Sequence, residues 1–314
     1  MSAALLLALV LLAAYAAGAL LLSGLAALAW RAGLKRVLTT SADLLALRLL
    51  PAAGGLLIAL TVVLPAFVSY EPHRGREAVG PWLMLLAGLA LASIGHGAWR
   101  GWRACAGARA LLLSYGPLRR RVLGSGQEIG VIDLVDVVEP VVAVIGGFRP
   151  RIVAAACVAE ACSADEFREV LAHEAAHVAA RDNLKQLLFV AAPDPLAWTS
   201  LAPTLLARWR AASELEADRR ATGDDPRRRL ALAAALIKVA RRLSACEPGS
   251  AALAMPVASG DVEDRVRQLL APRAVLPAAI VRALGLAALL TPVLALSHYG
   301  AIHELIETLV ALGR

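Results

Sequence analysis

The sequence predicts an α-helical membrane chain of about four spans that carries one α+β domain. Three observations lead there. Hydrophobic residues fill 59% of the 314 positions and charged ones only 18%, against about 45–50% and 25% in ordinary soluble domains. The surplus is Ala, Leu and Val in long blocks flanked by basic residues. Between the third and fourth blocks, β-branched residues alternate with polar ones before helical periodicity resumes. This composition excludes disorder and collagen, and four cysteines (Cys105, Cys157, Cys162, Cys246) in no paired spacing exclude a disulfide scaffold. They read as buried thiols of a reducing compartment.

The spans follow from uncharged length. Ala3 to Trp30 exceeds the roughly 20 residues a spanning helix needs. Its charges come after the apolar run, at Arg31, Lys35 and Arg36, so it reads as a retained span rather than a cleaved leader. Leu44 to Tyr70 is a second span, softened by Pro51, Gly54-Gly55 and Pro65, with Arg48 placed to snorkel to the interface. Pro81 to Trp99 is a third, anchored by Trp82, Trp99 and Trp102. A fourth runs from about Val275 to Leu296, followed by an amphipathic tail over Ala301 to Leu312. Residues 1–100 are thus three membrane helices, 101–273 a domain, and 274–314 the fourth span with its tail.

The net charge of +7 is spread over the flanks of these spans, with no nucleic-acid motif beside it, so direct nucleic-acid binding is not expected. Lys and Arg gather after the first span and, as Arg100, Arg103, Arg109 and Arg119 to Arg121, after the third. The loop-charge rule puts both flanks, and with them the domain, in the cytoplasm of a multi-pass cell-membrane protein.

Within the domain, Ile129–Asp136, Val141–Ile145 and Arg151–Ala156 read as strands of a small sheet. Ser163 and Glu166 then form a capping box that opens a helix through about Asp182. Its centre is His173-Glu174-Ala175-Ala176-His177. Histidines four apart share a helical face and can grip one zinc ion, while Glu174 beside them is placed to touch a zinc-bound water as general base. Chance would produce this pattern in about one chain in 200 of this composition. A second helix, from about Thr204 to a stop at Gly223, carries Ser213-Glu214-Leu215-Glu216-Ala217-Asp218. Glu214 would complete a two-His-one-Glu site with an open fourth position, the arrangement of catalytic zinc. Asp218, four residues on, is suited to accept the second N–H of a ligand histidine. Glu216 shares its face with Arg220 and reads as a solvated pair. Between the two motifs, Leu184 to Leu206 is apolar but broken by Pro193, Pro195 and Pro203, so it reads as a re-entrant hairpin or a buried helix pair.

HEAAH followed by ELEAD resembles the membrane gluzincin metallopeptidases. Two relatives compete: the HtpX and CAAX prenyl protease family, and the β-lactam-sensing antirepressor peptidases of the BlaR/MecR type. Gly146-Gly-Phe-Arg-Pro-Arg-Ile-Val153, Phe167-Arg-Glu-Val-Leu-Ala-His-Glu174 and Arg181-Asp-Asn-Leu184 are similar to the second, as are three spans before the domain and one after it. Val262-Glu-Asp-Arg-Val-Arg-Gln-Leu-Leu270 adds weakly to the likeness. The resemblance implies that His173, His177 and Glu214 hold zinc and that Glu174 is the base. It also implies cleavage of a protein or peptide substrate, with a cytoplasmic transcriptional repressor as a candidate partner beside the lipid bilayer. The residues after span four are too few for a penicillin-binding sensor, so a different signal is expected.

Two rival functions share these motifs: quality-control or prenyl-protein proteolysis of the HtpX or CAAX type, and a signalling scaffold with silent, structural zinc. An intact Glu174 argues against the scaffold, since structural zinc needs no base. Substrate is expected to add to an edge strand at Val141 to Gly147. Between Tyr115 and His298 the chain has no tyrosine and no histidine beyond His173 and His177, so the oxyanion stabiliser is expected to be an arginine, a backbone N–H or the metal alone, with Arg219 and Arg220 the nearest candidates. The topology has a direct check. A reporter fused after Arg121 should behave as cytoplasmic and one after Arg314 as external; swapped signals would invert it.

Overall fold

The computed structural model describes residues 2–70, 80–115, 119–122, 131–137, 139–245 and 259–271, with positions 283 and 304. Apart from positions 283 and 304, the expected fourth span and the tail lie outside the described residues, as does Cys246. The described residues divide into two units. One holds those up to Gly101 together with Leu188–Ala207; the other begins at Trp102, runs to Leu187 and resumes at Arg208.

In the first unit, α1 (Ala3–Arg31) starts at Ser2, whose hydroxyl accepts from the Leu5 amide. Thr40 caps α2 (Ser41–Ile58) in the same way through the Asp43 amide. α2 continues through one π-helical turn (Ala59–Val63), where the Leu64 amide reaches the Ala59 carbonyl, into α3 (Leu64–Tyr70). That wide turn falls just before Pro65, which has no amide to give to the regular ladder. α4 (Pro81–Ser114) is 34 residues long, well past the expected end at Trp99. Three helices, Ala3–Arg31, Ser41–Ser69 and Pro81–Ser114, are long and apolar enough to cross a membrane.

α1 and α2 meet through small residues. A Cβ on Gly55 would stand 2.7 Å from the Tyr15 carbonyl oxygen and 3.0 Å from the Ala19 nitrogen, and one on Gly18 would stand 3.0 Å from the Gly55 Cα. Apolar surface gains nothing by leaving lipid, so close backbone approach supplies the dispersion contact that holds such helices together. Arg48, expected at the interface, is instead fully buried and paired with Asp194 at 2.5 Å. Burial of the charge requires an anion, and the first unit includes one from far along the chain.

In the second unit, β1 (Arg119–Val122), β2 (Val131–Val135), β3 (Val142–Ile145) and β4 (Arg151–Ala155) form a sheet in the order β1-β2-β4-β3. β2 and β4 are parallel, and the other pairings are antiparallel. β1 was expected only as a basic flank; pairing with β2 makes it a strand, and charge is common on an edge. The carboxylate of Asp133 on β2 is buried and bonded to Arg151 at 2.7 Å. Helices α5 (Ala156–Ala161), α6 (Ala164–Ala180), α7 (Asp182–Ala191), α8 (Leu201–Thr222), α9 (Pro226–Ala245) and α10 (Ser259–Leu270) follow. α9 packs on both α6 and α10, around Val170, Leu232, Ala235 and Leu269. Cys105 is exposed, contrary to the expectation of buried thiols, because it lies on an uncovered side of α4; Cys157 and Cys162 are half-buried and none of the three is bonded to another.

The helix crossing predicts a signed outcome. Gly55→Ala should destabilise the protein by about 1–3 kcal/mol, because backbone would have to move. Gly88→Ala on α4, where a Cβ meets nothing within 4 Å, should be neutral or stabilising by up to ~1 kcal/mol. Thermal unfolding in detergent reads both.

Candidate metal centre

α6 is set locally by its ends. Ser163 accepts from the Glu166 amide at 3.3 Å while Glu166 accepts from the Ser163 amide at 2.7 Å. Lys238 on α9 holds the same carboxylate at 2.6 Å. The helix stops at Arg181, which takes the left-handed conformation at φ 55°. Asp182 then opens α7 one residue later.

Between those ends α6 presents His173 and His177 with their Nε2 atoms 3.1 Å apart. The carboxylate of Glu214, from α8, reaches both: Oε2 lies 3.3 Å from His173 Nε2 and Oε1 3.5 Å from His177 Nε2. One ligand atom from each of the three residues falls within 4.8 Å of the others, a spacing that could hold a metal ion. Two nitrogens and an oxygen suit zinc.

Each imidazole is gripped from behind by its other nitrogen. His173 Nδ1 meets Asp218 Oδ1 at 2.9 Å, and His177 Nδ1 meets Asp182 Oδ2 at 2.8 Å. Asp182 is held in turn by the Ser213 hydroxyl at 2.9 Å and Lys185 at 3.0 Å. Such carboxylates fix ring orientation and leave Nε2 as the free donor atom. Glu216 points elsewhere and accepts from Arg220 at 3.2 Å. Arg219 lines a cleft with Leu215, Thr222, Arg229 and Gln268.

The arginine that does reach the group is Arg265, on α10. Its guanidinium binds Asp218 through two nitrogens, at 2.7 and 2.9 Å, and its Nη1 lies 2.9 Å from Glu214 Oε2. Sequence reasoning missed this role, as it missed that of Asp182. A signal was present: Arg265 falls in the apolar stripe Val262, Val266, Leu269 of an amphipathic helix, where a charge must be buried and paired. For Asp182 the signal was its place just after the helix, in the Arg181-Asp-Asn-Leu184 segment that carries the family resemblance.

Electrostatics follow the contacts. Burial pushes the Glu174 carboxyl up, toward its neutral form. Burial works against the His177 cation, yet hydrogen bonds to Asp182 and Glu214 outweigh it and push the imidazole up to about 10. His173 is raised as well, its bonds to Asp218 and Glu214 overcoming burial. Against the same burial, the two histidines and Arg265 hold Glu214 well below the carboxylate range.

The raised histidine gives a pH dependence in protein stripped of metal. A group raised from 6.5 to about 10 contributes stability that is complete below its unfolded pKa and lost as pH climbs through the folded one. Chelator-treated protein should therefore melt at a higher temperature at pH 6 than at pH 10. His177→Gln should flatten that difference, measured by calorimetry at both values.

Residues 134–250 match the family model described as Peptidase family M48. No curated protein and no solved structure matches the chain. The matched residues, a little over a third of the chain, include both α6 and the Glu214–Asp218 turn of α8. With the His173, His177 and Glu214 grouping, that match supports a zinc metallopeptidase domain of the gluzincin type.

Proposed function

We propose that the protein is a membrane-embedded zinc endopeptidase that cuts a protein substrate at the cytoplasmic face, as a step of regulated proteolysis. The observation that carries the reading is the convergence of His173, His177 and Glu214 beside a buried Glu174. His173, His177 and Glu214 would hold the ion. Zinc bound there would supply a Lewis acid that polarises the scissile carbonyl and acidifies a water.

The chain's own residues do the rest. Glu174, lifted toward neutrality by burial, is poised to take a proton from the attacking water at its carboxylate and return it to the leaving amine. Asp218 and Asp182 keep the two Nε2 atoms directed inward. Of the three arginines Arg265 alone contacts Glu214 and Asp218, and with its Nε, Nη1 and Nη2 given to those carboxylates it positions them, while Arg219 and Arg220 remain the candidates for the oxyanion role.

For substrate, β3 stands at the end of the described sheet. Val141 bonds Ala155, so in that register Ala143 and Ile145 also turn to β4, while Val142 and Val144 turn their backbone groups outward. Asn183 already occupies the Val144 and Gly146 carbonyls, at 2.7 and 3.2 Å. An extended peptide would thus pair chiefly at Val142, by strand addition. The resemblance to BlaR/MecR peptidases makes a cytoplasmic repressor the partner class; quality-control proteolysis of the HtpX type is the alternative within the same chemistry.

Two measurements test this. Glu174→Gln should keep bound zinc and lose casein hydrolysis by about 10²- to 10⁴-fold. Loss of zinc in that variant, or hydrolysis left intact, would remove Glu174 from the chemistry. Glu214→Ala should lose zinc, and Asp218→Ala should weaken it by about 10- to 100-fold. Glu216→Ala should do neither, as metal analysis of the purified variants would show.

A further inference from the structure

The usable edge of β3 is shorter than its four residues. In the antiparallel register with β4, Val142 stands opposite Ala154 and Val144 opposite Ile152, while the bonds to β4 fall at Val141 and every second residue after it. Val142 and Val144 therefore offer their N–H and C=O groups outward, and an added strand would pair at both. The Val144 carbonyl is already taken. The Asn183 side-chain amide donates to it at 2.7 Å and to the Gly146 carbonyl at 3.2 Å. Two acceptors require the nitrogen of that amide to face them. Its distance from Val144 is that of a ladder bond, so Nδ2 stands where the backbone nitrogen of a paired strand would stand. The side chain ends the edge by occupying it.

The obstruction belongs to this one side chain. The backbone of α7 comes close only past the strand, at Gly147, where a Cβ would stand 3.7 Å from the Asn183 carbonyl oxygen and 4.0 Å from the Leu184 Cα. At the other end of β3, the outward groups of Val142 carry no hydrogen bond among the described residues. Asn183 is also tied to the metal centre by the chain itself. It directly follows Asp182, whose carboxylate meets His177 Nδ1 at 2.8 Å. Pairing thus stops one residue from a group that orients a metal ligand, and all of these residues lie within the second unit. A strand that pairs at Val142 and stops at Asn183 has a fixed number of residues between its paired position and the ion. The next register that keeps the same side chains on each face lies two residues away, and it would need Val144.

We propose that Asn183 is a register stop, which confines substrate pairing to Val142 and so determines which bond of an extended segment reaches the metal. The proposal deepens the peptidase reading and rests on it. The substrate class is a protein segment that lies extended along β3, its scissile bond set by distance along the ladder.

The test digests casein with the full chain in nanodiscs and maps the cut bonds by mass spectrometry, with bound zinc and thermal unfolding measured beside them. Asn183→Ala should keep zinc within two-fold of wild type and add cuts displaced by two residues from the wild-type bonds, at a tenth or more of the wild-type yield. Asn183→Leu loses the same pair of hydrogen bonds but fills the same space, so its cuts should stay at the wild-type bonds. Asn183→Ser, polar and too short to fill the edge, should behave as Asn183→Ala and is judged in its place if that variant does not fold. Wild-type cuts alone from the folded, zinc-replete small variant would overturn the proposal. Displaced cuts of equal yield from Asn183→Leu would also overturn it, by tracing them to a loosened hairpin. A wild type that bound zinc but left casein uncut would remove the peptidase reading, and the register stop with it.

Discussion

Two imidazoles and a carboxylate converge within 4.8 Å only if something other than their mutual attraction orients them, and here that constraint is met by carboxylates behind the rings. Asp218 fixes His173 and Asp182 fixes His177, each through Nδ1. Each carboxylate is itself tied to a further element: Asp218 to Arg265 on α10, Asp182 to Ser213 on α8. α6, the start of α7, α8 and α10 are thus bound into one hydrogen-bonded group. Inside a protein such networks are strong when complete and costly when broken, so the elements that carry them have little freedom to shift.

The same reasoning accounts for Arg265. Asp218 and Glu214 are two carboxylates one helical turn apart, and like charges at that spacing repel. A guanidinium between them, with planar donors matched to carboxylate geometry, converts the repulsion into a fixed separation. Glu174 is the member of the group with no hydrogen-bond partner of its own among the described contacts, so burial raises its carboxyl, whereas in Glu214, Asp218 and Asp182 hydrogen bonds outweigh the same burial and lower it. That difference between neighbouring carboxylates separates residues that hold from one suited to exchange protons.

In the first unit the governing fact is similar in kind. Close-packed small residues bring α1 and α2 together, and one arginine inside that apolar packing needs an anion. The anion comes from the stretch that joins the two halves of the proposed centre. Placing Leu188–Ala207 with the span helices follows from Pro193, Asp194 and their partners rather than from hydropathy, which left a re-entrant hairpin and a buried helix pair equally open.

Periodicity and caps act over a few residues, so they were readable directly: the apolar lengths of the three described spans, strands near 131–135, 142–145 and 151–155, the Ser163 cap, and the one-face spacing of His173 with His177 and of Glu214 with Asp218. Helical geometry also kept Glu214 and Glu216 from facing one ion together, and the Asp218 companion favoured Glu214. What the sequence could not decide is which distant residues meet. Arg48 and Asp194 are 146 positions apart, and Arg265 and Asp218 are 47 apart. Nothing in local pattern distinguishes the buried Arg48 from an arginine that snorkels, and although the apolar stripe of α10 marks Arg265 for burial, its partner depends on which acid the folded chain brings within 3 Å. The strand made of Arg119 to Val122 escaped notice for the same reason: its pairing with β2, not its composition, makes it a strand. Local chemistry specified the parts of the centre; only tertiary contact selected the charges that hold it.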